Sequence, residues 1–168
     1  PNIFRYERPQ RGRLREHWQL NCDIFGAKHY TAEVELISLA YQIFIDFGAT
    51  PDMFEIQINH RQEMSEFYTE LGLANKDTID AITRLTDRKK KMSSSDYEQA
   101  LLNIVGDTYL VAHIITKLDS QNETNEVLEG LKALGITNAK IDRTIARGFD
   151  YYTGTVFEVI DTHPDNNR

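Results

Sequence analysis

The hydrophobic period of this chain changes twice, and that change constrains its fold more than any other feature. Phe54, Ile56 and Ile58 alternate with Glu55, Gln57 and Asn59, the two-residue period of a strand. From about residue 60 to Gly135 the pattern becomes helical and highly charged, with breaks at Gly72, residues 92–95, Gly106-Asp107 and residues 119–122. Strand character returns at residues 139–145 and 155–160, around a turn rich in Gly and Tyr. Strands on either side of a helical stretch predict an α+β fold.

The N-terminal part reads as an antiparallel pair. Residues 3–7 are extended in character, residues 8–16 form a charged loop, and residues 17–25 alternate. Trp18, Leu20, Cys22 and Ile24 share one face; His17, Gln19, Asn21 and Asp23 share the other. Thr31 supplies an N-cap hydroxyl, with Glu33 and Glu35 near the positive end of the helix dipole. That helix runs to about Phe47 through Val34, Ile37, Tyr41 and Phe44, and Gly48 stops it. Further on, Ser95-Asp96-Tyr97-Glu98 reads as a capping box, and Leu128, Leu131 and Leu134 as the apolar face of a last helix.

At 168 residues with 40% apolar side chains the chain can bury a core. No apolar run approaches the roughly 18 residues needed to cross a bilayer, and no leader opens the chain, so the expectation is a cytoplasmic protein with no membrane contact. Both ends read as cut. Cys22 is the sole cysteine, which excludes an intrachain disulfide and a cysteine-based zinc site; the 5 histidines show no metal-ligand spacing. The reading is no metal site, with Cys22 in the core and His60 and His113 as structural or surface residues. The net charge of −7 excludes a general nucleic-acid coat but not a local basic site. Two stretches run against the acid background: Arg5, Arg8, Arg11, Arg13 and Arg15, and Arg84 with residues 88–91.

Two clusters can carry chemistry. Arg5 and Glu7 on one strand and Gln19, Asn21 and Asp23 on the next share a surface if the strands pair. A guanidinium there can hold a phosphate or carboxylate through two parallel bonds; the alternative is a solvated hairpin with surface ion pairs. Arg147-Gly148-Phe149-Asp150-Tyr151-Tyr152-Thr153-Gly154 offers a second arginine, turn-permitting glycines and two tyrosines on opposite faces. Its alternative is a β-turn with tyrosines packed at a sheet edge. Residues 88–91 are either a solvated helix end or a phosphate-backbone contact. The Lys91-Met92-Ser93-Ser94-Ser95 string is similar to the KMSKS loop of class I synthetases, but no companion motif or nucleotide-binding βαβ pattern accompanies it, and the serines fit a helix cap.

Residues 4–13 (FRYERPQRGR), continuing to Gln19, resemble motif 2 of the class II aminoacyl-tRNA synthetases in its histidyl form. Residues 147–158 (RGFDYYTGTVFE) resemble the histidine-specific stretch of the same family. The resemblance implies the antiparallel class II sheet with flanking helices. Residues 1–59 and 137–168 are then the two parts of the catalytic core and residues 60–136 a helical insertion. Motif 1, motif 3 and the anticodon-binding domain lie outside the chain. It implies a histidine–tRNA ligase using ATP with Mg2+, with histidine and tRNA(His) as partners and a homodimeric parent. Arg5 and Arg147 match the arginines that meet the α-phosphate from its two sides. Glu7, Arg13 and His17 match ATP contacts. Gln19 matches the ammonium-binding position and Asp23 and Tyr152 the imidazole-reading ones, with Arg147 and Tyr151 in the same histidine-binding set. Gln10 and Arg11 face the tRNA acceptor end. Asp23 stands where many members carry Glu, and His17 where an aromatic ring commonly stacks on adenine. Two rivals share the fold: the regulatory subunit of ATP phosphoribosyltransferase, and a tRNA-sensing module. The arginines, Gln19 and Tyr152 favour the enzyme.

Overall fold

The computed structural model describes residues 1–6, 8, 14–27, 30–120, 125–145 and 154–163. In chain order its elements are β1 (Asn2–Phe4), β2 (Glu16–Trp18), α1 (Thr31–Asp46), β3 (Phe54–His60) and α2 (Arg61–Glu70). Then come α3 (Lys76–Thr86), a 3-10 turn (Lys89–Lys91), α4 (Ser94–Val105), α5 (Thr108–Asp119), α6 (Glu126–Ala133), β4 (Ala139–Ile141) and β5 (Thr155–Asp161). The fold is α+β.

β3 is the central strand of a three-stranded sheet, ordered β4-β3-β5. It pairs antiparallel with β5 from Phe54↔Asp161 to His60↔Thr155, and parallel with β4 from Ile56↔Ala139 to Ile58↔Ile141. The expected antiparallel pairing is present between β3 and β5, and β4 adds a parallel edge to it. A parallel neighbour needs a long crossover, and the helices α2 to α6 lie in the connection from β3 to β4.

The described residues bury two apolar clusters. In the first, Phe54, Ile56 and Ile58 meet Ile37 of α1, Val127, Leu128 and Leu131 of α6, and Ala139 and Ile141 of β4. Burying each large aliphatic side chain contributes about 1.5–3 kcal/mol. Gly130 lets α6 approach α1, because a Cβ there would lie 2.7 Å from Val34 Cγ2. So α6, which the charge texture groups with the other helices, packs on α1 and the sheet. The second cluster joins α2 to α5 through Met64, Tyr68, Ile82, Leu85, Tyr97, Leu101, Ile114 and Leu118. Within it the Tyr97 and Thr86 hydroxyls lie 3.0 Å apart, and burial pushes the Tyr68 phenol well above its ordinary pKa.

Several local expectations shift. Gly48 ends α1 as read, with φ +91°, but Thr31 is the first helical residue and Tyr30 holds the cap position without a side-chain bond. The cap of α4 is Ser93, whose Oγ accepts the Asp96 N–H at 3.1 Å; Ser95 lies inside the helix. β2 ends at Trp18, well short of the strand read over 17–25. Its apolar face is the open one: Trp18 is 83% exposed, and Leu20 and Cys22 are exposed too, which corrects the core placement of Cys22. A hairpin of three-residue strands has no second layer of its own to cover such a face. His60 caps α2 by accepting the Glu63 N–H, and exposed His113 packs its ring on Tyr109.

Candidate functional site

The hairpin brings part of the expected anion-binding face together. β1 and β2 pair in the register Ile3↔His17, and the backbone bond from Arg5 N–H to Arg15 carbonyl, 2.8 Å, extends the pairing past β1. Across it, Arg5 Nη2 donates to Gln19 Oε1 at 3.0 Å. Gln19 Nε2 donates in turn to Asn21 Oδ1 at 2.6 Å, and the Gln19 N–H to the Pro1 carbonyl at 2.9 Å. The polar side of this hairpin, with His17 and Gln19 half-buried, is more covered than the apolar one. Arg5 is exposed, so its guanidinium faces water with one bond direction set by Gln19.

Asp23 is exposed, and among the described residues no hydrogen bond joins it to Arg5 or Gln19. Glu7, Gln10, Arg11, Arg13, Arg147, Tyr151 and Tyr152 lie outside the described residues. The meeting of Arg5 with Arg147 is therefore an expectation from the motifs. Among the described residues no group of three His, Cys, Asp or Glu side chains is placed to hold a metal, and no helix is long and apolar enough to cross a membrane.

What the structure does show is how the chain is held on both sides of residues 146–153. The Asp142–Ile145 turn follows β4. Asp142 Oδ1 accepts the Thr144 N–H at 2.9 Å and its hydroxyl at 2.5 Å, while the Asp142 N–H donates to the Ile58 carbonyl at 2.8 Å. Asn59 Nδ2 donates to the Ile145 carbonyl at 2.9 Å and, more weakly, to the Arg143 carbonyl at 3.4 Å. On the far side, the Arg61 N–H donates to the Gly154 carbonyl at 3.2 Å.

The helical region grips the same turn. Arg143 is 4% exposed. Its guanidinium donates to the Ser120 carbonyl at 2.7 Å and meets Glu63 Oε1 at 3.3 Å. Lys90 Nζ donates to Gln57 Oε1 and to Asp142 Oδ2, both at 2.8 Å. Burial opposes ionisation of Asp142, but the bonds from Lys90 and Thr144 outweigh it and hold the carboxyl below the usual carboxylate range. Lys89 pairs with Asp119 and lies over the Tyr97 ring. A cavity of about 550 Å³ opens beside the turn, with Asn59, Arg61, Gln62, Arg143 and Ile145 on its wall. Periodicity assigned Asn59 only to the polar side of a strand. The structure buries both polar side chains of this strand, Gln57 and Asn59, and the alternation carries no signal of that.

Likeness to solved structures defines the fold. A histidyl-tRNA synthetase from Nostoc sp. PCC 7120 superposes with a TM-score of 0.68 at 20% identity, over 76% of this chain and 36% of that one. A Bacillus halodurans C protein described as an ATP phosphoribosyltransferase regulatory subunit/histidyl-tRNA synthetase gives 0.63 at 19% identity, over 82% and 40%. The sequence defines the family. The histidyl-tRNA synthetase family profile matches residues 2–165. The histidine–tRNA ligase of Leptospira biflexa is 35% identical over 100% of this chain and 42% of its own length; that of Picrophilus torridus is 35% identical over 96% and 42%. The chain belongs to the histidyl-tRNA synthetase family and spans about two-fifths of the length of these relatives.

Proposed function

We propose that the protein containing this chain is a histidine–tRNA ligase, and that these residues form part of its catalytic core. The observation that carries the reading is the Arg5–Gln19 pair, two motif residues linked on one face of the hairpin in a chain matched almost throughout by the family. The histidine carboxylate attacks the α-phosphate of ATP, which enters with Mg2+; histidyl-adenylate and pyrophosphate form, and the terminal ribose hydroxyl of tRNA(His) then takes the histidyl group.

In this reading Arg5 and Arg147 meet the α-phosphate from two sides and stabilise the charge that grows on its oxygens. Gln19 orients Arg5, and the second lone pair of its carbonyl oxygen accepts a bond from the substrate ammonium. Glu7, Arg13 and His17 hold ATP. Asp23 and Tyr152 read the imidazole by hydrogen bonds, which rejects analogues lacking that group, and Tyr151 and Arg147 complete the histidine-binding set. Gln10 and Arg11 meet the tRNA acceptor end. The helical segment acts as an insertion in the core, and the parent is a cytoplasmic homodimer.

The Bacillus halodurans C likeness supports a second reading, a regulatory subunit of ATP phosphoribosyltransferase without ligase activity. ATP–pyrophosphate exchange by the full-length parent separates the two. Exchange dependent on histidine and on no other amino acid is the expected result; its absence removes the ligase reading. The 168-residue chain by itself is expected to give no measurable exchange.

A further inference from the structure

We propose that Asn59 is a positioning residue for adenylate formation, acting through the backbone carbonyls that it holds after β4. The inference rests on the ligase reading above and extends it to a residue that touches no substrate.

Asn59 is 4% exposed and is the penultimate residue of the central strand, which pairs with β4 on one edge and β5 on the other. Its amide is directed at the Ile145 and Arg143 carbonyls. Two residues later on the same path, the Arg61 N–H holds the Gly154 carbonyl. One short piece of β3 and α2 thus grips the chain before and after residues 146–153, and Arg147 follows Ile145 by two positions in the sequence.

The side chain suits this task. An amide NH2 carries two donors, so one group serves two carbonyls. Serine has a single shorter donor, and an ionised aspartate would set negative oxygens against the carbonyls. As a contribution to stability, two neutral bonds bring only about 1 kcal/mol each. A displacement of about 1 Å at a group that stabilises a transition state can slow the reaction about 100-fold. The larger consequence is therefore kinetic.

The test uses the full-length parent and histidine-dependent ATP–pyrophosphate exchange. Asn59→Ser should lower kcat by about 10-fold or more, with a much smaller change in KM for histidine. Combined with Arg147→Ala it should be no slower than Arg147→Ala alone, since Asn59 acts through that arginine. Asn59→Asp keeps the side-chain shape and can donate only when protonated. Its kcat relative to wild type should fall as pH rises through the carboxyl titration at temperatures where its melting curve shows it fully folded, which a purely structural role would not produce; this variant carries the test if Asn59→Ser does not fold. Multiplicative slowing in the double variant, or a wild-type rate in Asn59→Ser, overturns the positioning role while leaving the ligase reading intact. Wild-type parent without histidine-dependent exchange overturns both.

Discussion

Lys90 Nζ and Asp142 Oδ2 lie 2.8 Å apart, joining the basic run of the helical region to the turn after β4. The same ammonium reaches Gln57 on β3, so one lysine ties the 3-10 turn between α3 and α4 to the sheet. In sequence, this run reads first as a solvated helix end and second as a phosphate-backbone contact. The ion pair gives Lys90 a structural role within the chain.

That contact predicts a pH dependence. The folded-state pKa of Asp142 lies below its ordinary value of 3.8, so the carboxylate stabilises the fold above that value. The contribution is lost as pH falls through the depressed folded value. Lys90→Met should cost about 1 kcal/mol or less at pH 7, because the lysine is more than half exposed and water screens the pair. The deficit should shrink in acid, where only the Gln57 bond is still missing. Urea midpoints of wild type and variant, followed from pH 7 downward well past the ordinary Asp value of 3.8, check this; a gap that stays constant throughout would exclude Asp142 as the partner that matters.

Arg5→Ala in the full-length parent should slow adenylate formation about 100- to 1,000-fold, the usual cost of deleting one group that stabilises a transition-state oxyanion. Arg5 is exposed and its Gln19 bond is on the surface, so the thermal midpoint should hardly move. Arg5→Lys should restore little, because an ammonium cannot reproduce the forked geometry of a guanidinium. Single-turnover adenylation with a melting curve for each variant decides the matter.

Gly130 in α6 sets two effects against each other. Alanine in a helix interior is favoured over glycine by about 1 kcal/mol. Here its Cβ would lie 2.7 Å from Val34 Cγ2, and valine has little rotamer freedom in a helix. Overpacking of this kind costs about 1–3 kcal/mol, so Gly130→Ala should be destabilising on balance. Adding Val34→Ala should recover part of the loss measured by chemical denaturation. A Gly130→Ala chain more stable than wild type would show that α1 and α6 do not approach this closely.

Ser93→Ala should cost about 1 kcal/mol through loss of the α4 cap. Ser95→Ala, at an exposed position inside the helix, should stay within about 0.5 kcal/mol of wild type. The reverse order would restore the capping box read from the sequence. The two serines differ only in where the helix starts, which spacing places no better than a residue or two.

The sequence by itself determined what is local. The alternation from Phe54 defined a strand, Gly48 ended α1, and the helical period after β3 announced its helices, because periodicity and turn chemistry act between near neighbours. It also held the Arg5 and Gln19 of the motif that the hairpin links. Only the tertiary structure decided which faces are buried and which distant residues meet. The alternation of β3 could not show that Gln57 and Asn59 would be covered, nor the texture of the helices that α6 would pack on α1. No spacing rule joins Asn59 to Ile145 or Arg143 to Glu63. Such contacts depend on how whole elements stack, and a side chain's neighbours across a fold are not written in its neighbours along the chain.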